Sequence, residues 1–257
     1  MDKELINSHT KIKICGMTCE ADIKAVNTYL PDYIGFVFAK KSRRYVSPEK
    51  AEELKAMLAP GIQAVGVFVN EEPEQIISIE QAEHLLEKVD KKIRTVAVVV
   101  SPTTEQIRQI EKAGFDYIQI HGTVTEDVYK QCKLPILRAF NVSDLDKLDE
   151  YEAKDKIKGY VFDSKTPGSG KTFDWSLLDN IRQRQKTDAS KDVSHKKNKK
   201  MIFLAGGIDE TNVKRAISQV APDVIDLSSA VEKTSEDGTF HGKDPEKIRT
   251  IVTMVHD

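Results

Sequence analysis

Four short segments of this 257-residue chain share a pattern that few folds can use. Each reads as a strand with one apolar and one polar face, the polar residues gathering at its C-terminal end. Because strand side chains alternate between two faces, Lys11-Ile12-Lys13-Ile14-Cys15 puts both isoleucines on one side and Lys11, Lys13 and Cys15 on the other. In Tyr117–His121, Gln119 and His121 oppose Ile118 and Ile120. Asp163 lies opposite Phe162, and Asp226 and Ser228 lie opposite Ile225 and Leu227. An open parallel sheet covered by helices on both sides reads apolar on both faces. A closed α/β barrel with its chemistry at the C-terminal strand ends accounts better for one wet and one dry face.

The rest of the chain supports alternating strands and helices. Strands are expected at 11–15, 33–38, 64–69, 117–121, 136–140, 159–163, 201–205 and 224–228, with helices over Glu20–Tyr29 (Thr18 as its cap) and from Pro48, after Ser47. One unit occurs twice. Residues 47–76 recur 31 positions later as 78–107: Ser47-Pro-Glu-Lys-Ala-Glu against Ser78-Ile-Glu-Gln-Ala-Glu, then Val65, Val67 and Val69 against Val96, Val98 and Val100. Self-similarity at a fixed period is the mark of a repeat, so 78–107 reads as a tandem copy of 47–76. With both copies there are nine strand candidates, whereas eight close a standard barrel. One copy is therefore expected to be surplus, as an external excursion or as a competitor for one position. The expected fold is a single (β/α)8 TIM barrel domain over 1–257, carrying this extra helix–strand unit and a solvated polar loop at 182–200.

A net charge of −2 offers no footing for nucleic acid or for an anionic membrane. Residues 1–10 lack the apolar core of a signal peptide, and no apolar run reaches membrane-spanning length. Cys15, Cys19 and Cys132 form neither a disulfide framework nor a zinc site. A soluble cytoplasmic protein without a metal is the expectation.

Cys15 ends its strand at a glycine turn, and two roles remain open for it, a small buried hydrophobe or a reactive thiol. If the barrel closes, the first and last strands are neighbours, and Lys13 and Asp226 meet as an interior ion pair. Ala205-Gly206-Gly207 and Ser228-Ser229 occupy the loops after the last two strands, where barrels often hold phosphate on backbone N–H groups. Gly170-Lys171-Thr172 matches the end of a P-loop, but position 165, where that motif needs glycine, is Lys. Nucleotide hydrolysis is excluded, and the loop from Asp163 to Thr172 reads as a glycine-hinged lid.

Taken in order, these segments resemble the phosphoribosylanthranilate isomerases of tryptophan biosynthesis. The resemblance rests on Lys13-Ile-Cys-Gly-Met-Thr18, Gly35-Phe-Val-Phe38, Ser42-Arg-Arg-Tyr-Val-Ser-Pro48, Val65-Gly-Val-Phe-Val-Asn70 and Gln119-Ile-His-Gly122. It continues through Gly168-Ser-Gly-Lys-Thr-Phe-Asp-Trp175, Leu204-Ala-Gly-Gly207, Asp226-Leu-Ser-Ser229 and Lys243-Asp-Pro-Glu246. Lys40 and Ala230 depart from the family's usual Pro and Gly. The resemblance implies a cofactor-free Amadori rearrangement of N-(5-phosphoribosyl)anthranilate to 1-(2-carboxyphenylamino)-1-deoxyribulose 5-phosphate, in a monomer or homodimer. It makes Cys15 the general base and Asp163 the general acid. Arg44 would hold the anthranilate carboxylate, Gly206, Gly207, Ser228 and Ser229 the phosphate, and His121 and Asp226 would complete the substrate site. Lys13 is a candidate source of the positive charge that would let a thiol act as a base near neutrality. Two other readings are a phosphate-binding barrel without catalysis and another phosphosugar enzyme such as indole-glycerol-phosphate synthase. The first is disfavoured by the joint presence of Cys15, Asp163 and Arg44, the second because that chemistry wants Lys and Glu at strand ends.

Overall fold

The computed structural model describes residues 10–69, 86–163, 172–178, 199–235 and 238–256. Nine parallel strands close into one barrel: β1 Lys11–Cys15, β2 Tyr33–Val37, β3 Gln63–Val69, β4 Arg94–Val100, β5 Tyr117–His121, β6 Ile136–Phe140, β7 Ile157–Phe162, β8 Met201–Leu204 and β9 Val224–Leu227. Each pairs with its sequence neighbours, and β9 returns to pair with β1. Helices α1 Glu20–Tyr29, α2 Pro48–Ala56, α3 Thr104–Ala113, α4 Glu126–Gln131, α5 Asp149–Glu152, α6 Val213–Val220 and α7 Pro245–His256 lie between or after the strands. A hairpin of β10 Glu232–Thr234 and β11 Phe240–Lys243 follows β9. Among the described residues no helix is long and apolar enough to cross a membrane.

The expected barrel is present, but with both repeat copies in its wall. β3 and β4 pair along their length, Val65 opposite Arg94 through Val69 opposite Val98, and β4 goes on to pair with β5. Neither copy is an excursion, and they do not compete. The reason is local: both segments are seven-residue, valine-rich strands, equally able to satisfy two neighbours. The enlargement shows inside the wall. The outward residues of β3, Ala64, Gly66 and Phe68, are buried, whereas inward Val65, Val67 and Val69 remain half-exposed. The helix start of the second copy, the lid at 164–171 and all of the polar loop except Lys199 and Lys200 fall outside the described residues.

The apolar faces form the layer between strands and helices. Ile12, Ile14, Ile34, Ile118, Ile202 and Ile225 are fully buried there, with Ile23 and Val26 of α1. Ser47 caps α2 as expected, accepting from the Lys50 N–H at 3.2 Å. The cap of α1 is Cys19 and not Thr18. Thr18 lies one residue outside, where its N–H and hydroxyl donate to the Asp22 carboxylate at 2.7 and 3.0 Å. Asp22 is almost wholly buried and also accepts from the Lys243 N–H at 2.6 Å, tying the start of α1 to the hairpin.

Candidate active site

The two ends of the chain meet at the β9–β1 seam. Lys13 stands directly opposite Asp226 in the strand register, and its Nζ donates to Oδ2 at 2.7 Å. Burial pulls the Lys13 ammonium down, but its neighbours, Asp226 first, outweigh that, so the group is held above its ordinary value. Lys13 and Cys15 lie two residues apart on β1, so their side chains share its inner face. The other carboxylate oxygen, Asp226 Oδ1, is buried without a partner among the described residues.

Cys15 sits at the C-terminal end of β1, half-buried. Its register partner on β2 is Gly35. A Cβ on Gly35 would lie 2.6 Å from the thiol sulfur, so the absent side chain is what makes room for it. The chain then turns at Gly16, whose φ of +91° favours glycine. The N–H groups of Gly16 and Met17 both donate to the Gly35 carbonyl, at 2.8 and 2.9 Å. The Ser228 hydroxyl donates to the Cys15 carbonyl at 3.2 Å, fixing the end of β9 against the end of β1.

The stem of Arg44 lies over Gly16, its Cδ 2.7 Å from where a Cβ would be. The loop that carries it is pinned despite Lys40: Ser42 N–H donates to Ala39 O at 2.9 Å, and Val46 N–H to Val37 O at 3.0 Å. Arg44 Nε donates to Glu232 Oε1 and Arg43 Nη2 to Oε2, each at 2.5 Å, and Lys243 Nζ approaches Oε1 at 3.4 Å. Burial pushes the Glu232 carboxyl up, but Arg44, Lys243 and Arg43 together hold it below the usual range. Lys243 is wholly buried and pulled below its ordinary value by that burial, which Glu232 offsets only in part while the nearby charge of Arg44 adds to the lowering. Its Nζ also donates to the Ser228 carbonyl at 3.1 Å.

The remaining expected residues stand on the same rim. His121 ends β5, with its Nε2 2.8 Å from the Gln119 amide nitrogen. Burial and, secondarily, Arg138 lower its pKa to about 4, so it is neutral at physiological pH. Asp163 follows β7, half-buried, its N–H donating to Phe140 O at 3.3 Å. Gly206 and Gly207 both adopt positive φ after β8, and the turn behind them is closed by Asn212, whose amide donates to Gly207 O at 2.8 Å. α6 consequently starts only at Val213. Ser229 opens a 3-10 turn, Ser229–Val231, in which Ala230 keeps an ordinary φ, so its methyl group costs no backbone strain. Cys132 is fully buried, in keeping with a structural role. No group of three or more His, Cys, Asp or Glu suited to a metal ion occurs among the described residues.

Two of the site's principal residues, Glu232 and Lys243, carry no signal in strand alternation. Both lie on the hairpin after β9; Lys243 opens one of the segments that carry the family resemblance, and for Glu232 the hint is its short distance from Ser228-Ser229.

A parallel β/α barrel whose C-terminal rim joins a thiol, an ion pair and a surplus of cations belongs to the barrels that process small anionic substrates. Comparison with known proteins narrows the class. A family model described as N-(5'phosphoribosyl)anthranilate (PRA) isomerase matches residues 12–86 and 75–254. The N-(5'-phosphoribosyl)anthranilate isomerase of Clostridium kluyveri is 35% identical over 248 residues, covering 96% of this chain and 98% of that one. Among solved structures, the phosphoribosyl anthranilate isomerase of Thermotoga maritima superposes with a TM-score of 0.61 at 28% identity, over 96% of this chain and 98% of the other. Another phosphoribosyl anthranilate isomerase, solved with reduced 1-(o-carboxyphenylamino)-1-deoxyribulose 5-phosphate, shares the fold at 24% identity and a TM-score of 0.58, over 96% and 98% of the two chains. The chain belongs to the N-(5'-phosphoribosyl)anthranilate isomerase family.

Proposed function

We propose that this chain converts N-(5-phosphoribosyl)anthranilate to 1-(2-carboxyphenylamino)-1-deoxyribulose 5-phosphate, with Cys15 as general base and Asp163 as general acid. Asp163 would protonate the ribose ring oxygen, opening the ring to a Schiff base. Cys15, as thiolate, would take the C2′ proton, and the resulting enolamine would tautomerise to the ketone. No step needs a cofactor. Arg44 would bind the anthranilate carboxylate, a task suited to a guanidinium fork. Gly206, Gly207, Ser228 and Ser229 would hold the phosphate, while His121, neutral at working pH, would offer a hydrogen bond without adding charge. Asp226 would act on Cys15 through Lys13.

The observation that carries this reading, beyond family membership, is the setting of Cys15. The sulfur occupies the space left by Gly35 at the barrel's C-terminal rim, on the strand face that also carries Lys13. Cys132, by contrast, is fully buried, and that burial holds its thiol above the ordinary value. Turnover of N-(5-phosphoribosyl)anthranilate by the native chain, Cys15→Ser and Asp163→Asn, with folding followed by circular dichroism, tests it. Native activity with losses of about 100-fold or more in both folded variants is expected. A folded but inactive native protein would favour the phosphate-binding barrel without catalysis.

A further inference from the structure

Glu232 has no part in the scheme above, yet it is almost wholly buried and is gripped by three cations, Arg43, Arg44 and Lys243. One carboxylate does not neutralise three positive charges, so a cationic surplus remains, with Lys243 buried, Arg44 mostly buried and Arg43 half-exposed. The contacts are also selective. Glu232 takes only the Nε edge of Arg44, and Arg44 Nη2 is left buried with no hydrogen-bond partner among the described residues. A guanidinium has two edges that can each take a carboxylate. Here one edge is committed at Nε and the terminal edge, which includes Nη2, is kept for something else. Gly16 fixes the stem from below, within a residue of Cys15, and Glu232 fixes the rotation of the head.

We propose that Glu232 is a positioning residue: it orients Arg44 so that the terminal guanidinium edge meets the substrate's aromatic carboxylate, with Arg43 holding the second Glu232 oxygen in place. This rests on the isomerase reading of the same site. Because buried polar groups rarely go unpaired, the orphaned Nη2 marks where the carboxylate binds. Lys243 joins the device to the phosphate side of the rim, since its ammonium contacts both Glu232 and the Ser228 carbonyl.

The test compares two probes, reduced 1-(o-carboxyphenylamino)-1-deoxyribulose 5-phosphate and the same compound without its carboxyl group. Dissociation constants are measured for the native protein, Glu232→Gln, Glu232→Asp and Arg43→Met, alongside melting temperatures. Glu232→Gln should weaken the carboxyl-bearing probe about 10- to 100-fold, the range for a lost charge-assisted hydrogen bond, and leave the other unchanged. Glu232→Asp should restore part of the loss. Arg43→Met, at a half-exposed side chain, should give a smaller loss confined to the same probe. Equal weakening of both probes, or of neither, in the folded variants overturns the proposal. A native protein that binds the two probes equally overturns the assignment of Arg44 itself, whereas discrimination that survives Glu232→Gln overturns only the role of Glu232.

Discussion

Asp226→Asn leaves the Lys13 ammonium in a nearly dry seam without its counter-ion. The pair is close, at 2.7 Å, and the lysine side chain is 11% exposed against 27% for the aspartate. Removing one partner of a buried ion pair costs about 3–5 kcal/mol. Asparagine keeps an acceptor, and the aspartate position is not fully dry, so about 2–3 kcal/mol is expected here. For a domain of this size that is about 5–10 °C in melting temperature. The pH dependence carries the sign. The folded Lys13 value is raised above the unfolded one of 10.5, so the pair's contribution is complete below that pH and is lost as pH rises through the folded value. The deficit of Asp226→Asn should therefore be full at pH 7 and narrow in strong alkali. Urea unfolding at neutral and alkaline pH measures it, with turnover in parallel. Replacing both partners, Lys13→Met with Asp226→Leu, should restore most of the stability and none of the activity. An Asp226→Asn protein within about 0.5 kcal/mol of native, the range of ordinary surface changes, and fully active would refute the reasoning.

Two further outcomes follow from single contacts. Gly35→Ala sets a methyl group 2.6 Å from the Cys15 sulfur, so the thiol must move. A cost of about 1–3 kcal/mol from overpacking and a turnover loss of about 100-fold from displacing a reacting group are expected, and an alanine variant with native turnover counts against Cys15 as the base. His121, with a folded value of about 4 against 6.5 unfolded, makes stability fall as pH drops from 6.5 towards 4, because the unfolded chain takes up the proton first. About 2–3 kcal/mol is lost over that window, and His121→Gln should flatten it. A His121 that titrates near 6.5 by NMR contradicts this.

Much of the barrel could be read from alternation alone. Ile12/Ile14 against Lys13/Cys15, and Ile225/Leu227 against Asp226/Ser228, distinguished inner from outer faces. The closing rule for barrels then pairs Lys13 with Asp226 from the sequence, and the β9–β1 register places them opposite each other. The Glu232 cluster could not be read the same way. Its members stand at positions 43, 44, 232 and 243, on a loop and a hairpin, and neither period 2 nor period 3.6 links them. Only the tertiary fold brings a lone carboxylate to three distant cations. The cap of α1 failed for a smaller reason. Thr18 is the better capping residue by type, but the buried Asp22 carboxylate claims its N–H and hydroxyl from inside the helix. The strand count failed because the eight-strand rule describes a habit of filled barrels, and two equivalent valine strands pair with each other as readily as with their neighbours.

The ninth strand bears unequally on the site. With strands about 4.8 Å apart and tilted about 36°, ideal eight- and nine-stranded barrels have radii of about 8 and 9 Å. β7 reaches β1 through β8 and β9, a path without the added strand, so the distance between those two strand ends changes by less than about 1 Å. β5 reaches β1 through β2, β3 and β4, and there the distance grows by about 3 Å. On the proposed mechanism, the spacing of Asp163 and Cys15 would thus change little with the enlargement, while His121 would be drawn back from the thiol side of the rim. If 78–107 is a second copy of 47–76, excising residues 70–100 joins Val69 to Ser101 at the equivalent position and lets β3 pair directly with β5. The shortened chain should pack the half-exposed inner face of β3 and melt higher. Because about 1 Å of misplacement can cost 10²-fold, it should also gain at least about tenfold in kcat/KM, and His121→Ala should cost it more than it costs the native protein. A shortened chain that folds but is slower than native would show that the nine-stranded rim is the one this site is built for.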